Sequence, residues 1–304
     1  MKVKNLVLIT MGLMLTVASW ATDTIRIYAA GRAVKDQGIT FRSWGSGLIA
    51  ESDDAAYEGT TSIRISTRNF FQGGTMMLEK PVDLGAAYGD ANNLIMLTFK
   101  IADSSAVGGK VGGGGGDLGA PSAGGGNSQT SAPAKVEPLS MVRMIVVTDD
   151  GMRSEAYVPM TTGGKGERGW RRVGIPLKAV TGFDKTSKKV KELWFSGDST
   201  ATFYIGQMEI INDATPIYGE PNRRELNLAL GDEIEFVGNG SAGATILRYT
   251  WDFDAKDGIQ IDAEGQFIRH KFRRPGDYTI TLTISDVNGL KKPYATTIKV
   301  KVNP

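Results

Sequence analysis

Residues 278–284 read Tyr-Thr-Ile-Thr-Leu-Thr-Ile, and this alternation decides the fold of the C-terminal part of the chain. The tyrosine, the leucine and the two isoleucines share one parity, whereas the three threonines share the other. A period of two, carried largely by β-branched residues, predicts a strand with one buried face and one solvated face. The turn-forming pairs Pro275-Gly276 and Asn288-Gly289 bound this strand, so local chemistry sets both of its ends.

Upstream of this strand, residues 249–254 read Tyr-Thr-Trp-Asp-Phe-Asp, with three aromatic residues on one parity. We therefore predict an earlier strand that buries Trp251. The region resembles the polycystic-kidney-disease (PKD) domain, an immunoglobulin-like β-sandwich common in secreted and cell-surface proteins. The resemblance implies a small sandwich over residues 226–304. The motifs that carry it are Gly231-Asp232, the Tyr-Thr-Trp-Asp-Phe run, His270-x-Phe272, Pro275-Gly276-x-Tyr278 and Asp286-x-x-Gly289.

The start of the chain, residues 1–21, has the pattern of an export signal. Lys2 and Lys4 precede an apolar run from Leu6 to Val17, and a small-x-small cleavage site follows. The run is too short for a membrane-spanning helix. We expect cleavage before Thr22 and export of the mature chain to the medium, the cell surface or the periplasm. No second long apolar segment is present, so we expect no membrane insertion of the mature chain.

Composition excludes several classes of function. The chain contains 35 Lys and Arg against 33 Asp and Glu, and removal of the two signal lysines makes the numbers equal. A neutral mature chain lacks the basic excess that a phosphate-tracking surface needs, so we expect no nucleic-acid partner. The absence of cysteine excludes disulfides, thiolate catalysis and thiolate metal sites. Composition leaves the oligomeric state open.

Residues 22–213 alternate short apolar runs with glycines and prolines, a pattern that predicts an all-β sandwich. This part is similar to a jelly-roll β-sandwich of the carbohydrate-binding-module type in motifs such as Glu58-Gly59 and Phe203-Tyr-Ile-Gly206. A linker with prolines and glycine, residues 214–225, joins it to the smaller PKD-like β-sandwich. The predicted strands are Thr24–Tyr28, Ser62–Ser66, Thr75–Leu78, Leu94–Ile101, Met141–Thr148, Arg153–Met160, Trp170–Leu177, Val190–Phe195 and Thr202–Ile211.

Residues 104–138 differ in composition from the rest of this part. Glycine, serine, alanine and proline dominate, and an unbroken glycine run extends from Gly112 to Gly116. Such a segment cannot bury enough surface to offset its ordering entropy, so we expect a long flexible loop within the sandwich. A phosphate-binding glycine loop would need a strand, a helix and a Lys-Ser/Thr pair at its borders, and this sequence pattern is absent.

Trp44 is a tryptophan that no strand pattern accounts for. It lies among glycines and serines, whereas Trp170, Trp194 and Trp251 lie within apolar strand patterns and are expected in the core. An exposed indole would stack on the apolar face of a sugar ring, beside groups that form hydrogen bonds. The alternative, an indole folded over the edge of the core, stays open. The candidate ligand-binding residues are Trp44, Arg42, Tyr57 and Glu51.

Acidic residues follow the aromatic strand at short spacing. Oxygen ligands such as those of Asp252, Asp254 and Asp257 suit calcium, so these three are candidate metal ligands and a structural calcium ion is the candidate cofactor. Aspartates at turns also bond to their own backbone, and this alternative stays open. His270 is the single histidine of the chain. It falls where the PKD pattern has a histidine, and we expect a structural role for it.

The sequence contains no catalytic constellation, so we expect no enzymatic activity. A single histidine without cysteine leaves little for nucleophilic catalysis, and adjacent turn aspartates differ from the separated carboxylates of a glycosidase. The leading hypothesis is an exported protein that binds glycan through the jelly-roll domain, with the PKD domain as a spacer or interaction module. The alternative is a structural or adhesive assembly protein without a sugar ligand. The expected partner is accordingly a polysaccharide or a surface protein.

Overall fold

The computed structural model describes residues 24–102, 138–160 and 169–304, which fold into two consecutive β-sandwiches. The predicted signal, residues 1–21, and nearly all of the predicted flexible loop, residues 104–138, lie outside the described residues. Strands dominate both sandwiches, which confirms the predicted all-β class. Across the described ranges, every helix falls short of the length and apolar character that a membrane span requires.

The N-terminal sandwich is built from short strands joined by tight turns. Within the described residues its strands are β1 (Arg26–Tyr28), β2 (Ile39–Trp44), β3 (Leu48–Ser52), β4 (Ser62–Thr67), β5 (Gly73–Asp83), β6 (Asn93–Ile101), β7 (Met141–Thr148), β8 (Arg153–Pro159), β9 (Arg171–Pro176), β10 (Lys189–Gly197) and β11 (Ala201–Asn212). Its helical turns within the same described ranges are α1 (Gly85–Tyr88) and 3₁₀ turns at Lys35–Gln37, Leu177–Ala179 and Phe183–Lys185.

Two antiparallel sheets form this sandwich. Sheet I has the order β3-β4-β11-β6-β9, with β1 added on β11, and sheet II has the order β2-β5-β10-β7-β8. Most consecutive strands lie in different sheets, an exchange that is typical of a jelly roll. The core lies between the sheets and includes the fully buried Phe99 and Phe203 of sheet I and Phe195 of sheet II.

All nine predicted strands of this sandwich are present, whereas β2 and β3 have no predicted counterpart. Both lie in the segment whose glycines and serines suggest a loop. β2 is held by its pairing with β5, and β3 by its pairing with β4. Because these strands depend on partners as well as on their own sequence, local pattern alone does not predict them.

The C-terminal sandwich is smaller. Within the described residues its strands are β12 (Tyr218–Pro221), β13 (Glu225–Ala229), β14 (Glu233–Ser241), β15 (Leu247–Asp252), β16 (Ala263–Glu264), β17 (Phe267–Lys271), β18 (Gly276–Asp286) and β19 (Tyr294–Asn303), and a 3₁₀ turn spans Ala255–Asp257. One sheet has the order β12-β14-β17 and the other β13-β19-β18-β15-β16. The predicted alternating strand lies inside β18. Since β12 pairs with β14, part of the predicted linker, residues 214–225, belongs to this sandwich.

The aromatic strand supplies the centre of the C-terminal core, as predicted. Trp251 on β15 is 0% exposed, and its indole N–H donates to the Gly265 carbonyl at 2.9 Å. Its ring lies 5.9 Å from that of Phe236 on β14. The inward residues of β18 complete the packing, and Ile280 and Leu282 are fully buried. The alternation in the sequence therefore gives the correct buried face.

We expect the C-terminal sandwich to lose stability as the pH falls through the range in which His270 titrates. The imidazole stacks on the Phe253 ring with centroids 3.7 Å apart. Burial lowers the pKa of His270, although the Asp262 charge acts in the opposite direction. Because the folded state favours the neutral imidazole, the unfolded state binds more protons between the two pKa values. This contribution is therefore complete above about pH 6.5, the ordinary histidine pKa, and is lost as the pH falls below it.

Chemical denaturation at a series of pH values tests this prediction, with His270→Gln as the matched variant. The parent protein should lose stability on acidification below neutral pH, and the variant should lose less. Equal losses in the two proteins would show that the titration of His270 does not contribute.

A joint with defined contacts connects the two sandwiches. The carboxylate of Asp213, just after β11, accepts from the backbone N–H of Ala244 at 2.7 Å and of Thr215 at 3.0 Å. The Lys291 ammonium lies 3.4 Å from the same carboxylate. The Ala244 carbonyl in turn accepts from the N–H of Gly174 on β9. These bonds tie a loop of the C-terminal sandwich to the end of the N-terminal one.

Candidate functional site

The outer face of sheet II contains the side chains that packing of the sandwich does not explain. On its central strand β10, Leu193 and Phe195 point inward and are fully buried. The alternation of the strand therefore turns Glu192, Trp194 and Ser196 outward. Trp194 is partly exposed on this face. The prediction that Trp194 belongs to the core is thus wrong, because its two apolar neighbours occupy the core positions and the indole takes the opposite parity.

Strand register brings further side chains onto the same face. Paired residues on neighbouring strands point to the same side of a sheet. Three adjacent outward rows therefore run across the sheet from β2 to β8, a width of about 19 Å between the outer strands. The rows are Thr40, Met77, Glu192, Val147 and Arg153; Arg42, Thr75, Trp194, Ile145 and Glu155; and Trp44, Gly73, Ser196, Arg143 and Tyr157.

Two indoles meet near one edge of this face. The rings of Trp44 on β2 and Trp194 on β10 are 5.2 Å apart between centroids, with their planes at 61°. The Trp194 N–H donates to Glu192 at 2.7 Å, and the Arg42 guanidinium lies 3.4 Å from the same carboxylate oxygen. These contacts fix the orientation of both rings. Both rings also stand on paired strands, which hold them more rigidly than loops would.

Arg153 approaches the indole pair from the other side. Its guanidinium carbon lies over the Trp194 ring, 4.6 Å from the centroid. Stacking of a planar guanidinium on an aromatic face is favourable and leaves the N–H groups at its rim directed outward. Across the described residues, Arg153 has no carboxylate within 4.0 Å and no hydrogen-bond acceptor for its side chain.

A second aromatic cluster lies farther along the same face. Arg143 on β7 donates to Glu155 on β8 through Nε and Nη2, at 2.8 and 2.6 Å. The Arg143 guanidinium also lies 5.5 Å from the exposed Phe71 ring. The exposed Tyr157 packs edge-on against Phe70 at 5.6 Å. We call the outer face of sheet II that carries these three rows, together with the adjoining Phe70 and Phe71, the sheet II platform.

The four predicted ligand-binding residues are divided between two parts of the sandwich. Arg42 and Trp44 are outward neighbours on β2, so the predicted loop position of Trp44 is wrong. Tyr57 lies over the outer side of sheet I, where its ring contacts Trp170 at 5.5 Å. Glu51, on β3, accepts hydrogen bonds from the Val34 N–H and the Thr61 hydroxyl. The structure therefore brings Arg42 and Trp44 together and leaves Tyr57 and Glu51 outside the platform.

Most residues of the platform are not among the predicted ligand-binding residues. Trp194 is predicted in the core, and Glu192, Arg153 and Tyr157 have no predicted role. The signal that could have found the indole is the polar parity of β10, where Trp194 stands between Glu192 and Ser196 at steps of two. The partners on β8 are separated from it by many residues, and only register brings them together.

Two of the three predicted calcium ligands, Asp252 and Asp254, act as acceptors for their own turn. One Asp252 oxygen accepts from the Asp254 N–H at 2.9 Å, and the other accepts from the Gln260 N–H at 3.2 Å. Asp254 caps the following 3₁₀ turn by accepting from the Lys256 N–H. Asp257 lies exposed. In the part of the chain that the structure describes, no group of three acidic, histidine or cysteine side chains is arranged to hold a metal ion.

No curated protein matches the chain. The matches to solved structures are weak, and their TM-scores are too low to support any assignment of function. A nucleoside hydrolase-related hypothetical protein from Saccharophagus degradans, associated with carbohydrate metabolism, is 13% identical over 30% of this chain and 26% of that one (TM-score 0.26). The N-terminal four Ig domains of Dscam1 isoform 1.9 are 8% identical over 53% of this chain and 37% of theirs (0.25).

The third comparison with solved structures is to the fibronectin(III)-like modules of CbhA from Clostridium thermocellum. These modules are 12% identical over 57% of this chain and 83% of theirs, with a TM-score of 0.24. The first two structures extend well beyond this chain, which spans about a quarter and a third of them. A family model is more specific. The model described as PKD domain matches residues 220–302, so the C-terminal sandwich is a PKD domain.

Proposed function

We propose that this protein is an exported, non-catalytic glycan-binding protein and that the sheet II platform is its binding face. The observation that carries the proposal is the contact between two partly exposed indoles, Trp44 and Trp194, at outward positions of a sheet. Export is supported by the predicted signal and by the extracellular setting typical of PKD domains. In this proposal the PKD domain is a spacer or an interaction module.

The chemistry of the platform suits a sugar. A sugar ring presents an apolar face edged by hydroxyl groups, so its binding site needs an aromatic plane beside hydrogen-bonding groups. Trp44 provides the plane, and Arg42 stands two residues away on the same side of β2, about 7 Å along the strand. Trp194 supports the Trp44 ring. Because the site is preorganised on paired strands, little ordering entropy is lost on binding.

The platform favours binding over hydrolysis. A glycosidase positions one carboxylic acid with a raised pKa opposite a second carboxylate. Here Glu155 is bound by two nitrogens of Arg143, and Glu192 is bound by the Trp194 indole. Both carboxylates thus hold neighbouring side chains in place. This arrangement supports a non-catalytic role.

Replacement of Trp44 by alanine should strongly weaken glycan binding by the mature chain. Loss of the ring removes the stacking plane, and we expect affinity to fall at least about ten-fold, which corresponds to about 1.4 kcal/mol. A glycan array and then calorimetry with the best polysaccharide measure this effect. Trp194→Ala should also weaken binding, because Trp44 then loses the ring that orients it.

The matched control is Tyr218→Ala, which removes an exposed aromatic ring from the PKD domain. It should leave binding unchanged. Equal melting curves for the parent and the Trp44 variant would establish that the fold is retained. If the parent protein bound no glycan, the proposal would be overturned in favour of a structural or adhesive role with a protein partner.

A further inference from the structure

We infer that the glycan recognised by the sheet II platform is anionic, and that Arg42 and Arg153 bind its carboxylate or sulfate groups on either side of Trp194. The inference rests on the proposed function and specifies its ligand class. It follows from the hydrogen-bonding groups that the platform leaves available.

The long charged side chains in the three outward rows are arginine and glutamate, and the rows also contain the exposed Tyr157 hydroxyl. The rows contain no asparagine, glutamine or lysine. Each hydroxyl of a neutral sugar both donates and accepts, so a neutral sugar needs free acceptors as well as free donors at its binding site. A guanidinium only donates, and a carboxylate only accepts. The charge of the preferred ligand therefore depends on whether free guanidinium donors or free carboxylate acceptors predominate at the surface.

The two glutamates are already engaged within the platform. Glu155 receives two charge-assisted hydrogen bonds from Arg143. Glu192 receives the indole N–H of Trp194 and is only 20% exposed. A ligand that approaches from solvent therefore meets few free acceptors. The hydrogen-bonding groups that remain free on this face are therefore mainly donors.

Two arginines retain that donor capacity. Arg42 is 56% exposed and makes one contact of 3.4 Å, to Glu192. Arg153 stacks on Trp194, and in the described residues its side-chain N–H groups have neither an ion pair nor a hydrogen bond. A guanidinium with free N–H groups matches the paired oxygens of a carboxylate or a sulfate.

The two arginines lie on opposite sides of the central strand. Arg42 is on β2, two strands from β10 in one direction, and Arg153 is on β8, two strands away in the other. Trp194 on β10 lies between these cations, and Trp44 stands beside Arg42 on β2. A chain of charged sugars could thus place one ring on Trp44 and its charged substituents toward both arginines. A neutral chain would leave the guanidinium groups without acceptors of matching charge.

Binding measurements with matched polysaccharides test the inference on the full mature chain. Polygalacturonate and its methyl-esterified form differ in carboxylate charge, and dextran sulfate and dextran differ in sulfate. We expect binding to at least one anionic member, at least ten-fold tighter than to its neutral partner. A difference within the galacturonate pair identifies carboxylate as the recognised group, and a difference within the dextran pair identifies sulfate. Binding should also weaken as salt is added, because ions screen exposed charges.

Arg153→Gln and Arg42→Gln should each weaken binding of the anionic polysaccharide at least ten-fold. Both substitutions keep a long polar side chain and remove its charge. Arg269→Gln is the matched control, since Arg269 is an exposed arginine on the PKD domain. It should leave the affinity unchanged. An equal loss in the Arg269 variant would overturn the inference, because the effect would then reflect overall charge.

The results separate this inference from the proposed function. Equal affinity for a neutral polysaccharide and its anionic partner, with binding lost in Trp44→Ala, would overturn the anionic ligand class and retain glycan binding. Absence of binding to all four polysaccharides and to a broader neutral array would overturn both. Preference for one anionic polysaccharide, lost in the Arg153 variant and kept in the Arg269 variant, would establish the inference.

Discussion

Trp251→Ala should unfold the PKD domain and leave the N-terminal sandwich folded. The indole is fully buried and donates to the Gly265 carbonyl. Its truncation removes a large apolar contact and leaves a cavity, a change that costs about 3–5 kcal/mol. A domain of this size has a total stability of roughly 5–15 kcal/mol and lies toward the low end of that range. The substitution therefore removes most of the available stability.

Calorimetry of the mature chain measures this effect through the melting transition of each sandwich. Trp251→Phe keeps much of the ring and loses the hydrogen bond, so it should cost about 1–3 kcal/mol. Trp194→Ala is the surface control, with the same substitution at a partly exposed indole. It should leave the PKD transition unchanged and lower the N-terminal transition much less than Trp251→Ala lowers the PKD transition. A PKD transition that is unaltered in Trp251→Ala would contradict the packing of β15 described above.

The strands that can be predicted from the sequence are those whose own residues show a clear apolar pattern. In β18 the alternation of apolar residues and threonines places Ile280 and Leu282 in the core, as observed. The aromatic parity of residues 249–253 likewise identifies Trp251. Short apolar runs are sufficient for the strands of the N-terminal sandwich that have strong patterns. Local information is enough wherever burial alone decides the orientation of a side chain.

The platform could not be predicted in the same way, because its composition depends on register. Trp194 is apolar yet lies outside the core, since Leu193 and Phe195 take the inward positions. Sequence proximity also misled the choice of partners for Trp44. Glu51 is close in sequence, but β3 belongs to the other sheet. Arg153 is more than a hundred residues from Trp44 and reaches the same face through the pairing of five strands.

The second large loss of stability is expected from a substitution at the joint between the two sandwiches. The carboxylate of Asp213 is 7% exposed, and Lys291 beside it is 13% exposed. Burial acts to raise the pKa of Asp213, but hydrogen bonds from Thr215 and Ala244 and the Lys291 charge outweigh it, so the pKa is lowered. The folded protein thus favours the charged form. This contribution to stability is present above the ordinary aspartate pKa and is lost as the pH falls through the lowered value.

Asp213→Ala should destabilise the protein by about 3–5 kcal/mol, because it leaves the partly buried Lys291 ammonium without its partner charge. It also leaves the N–H groups of Ala244 and Thr215 without an acceptor. Asp213→Asn keeps an acceptor without the charge and should lose less. Small-angle scattering should show a wider range of separations between the sandwiches in the alanine variant. Unchanged scattering together with unchanged melting would show that the other contacts of the joint, such as that of Gly174 with Ala244, are sufficient.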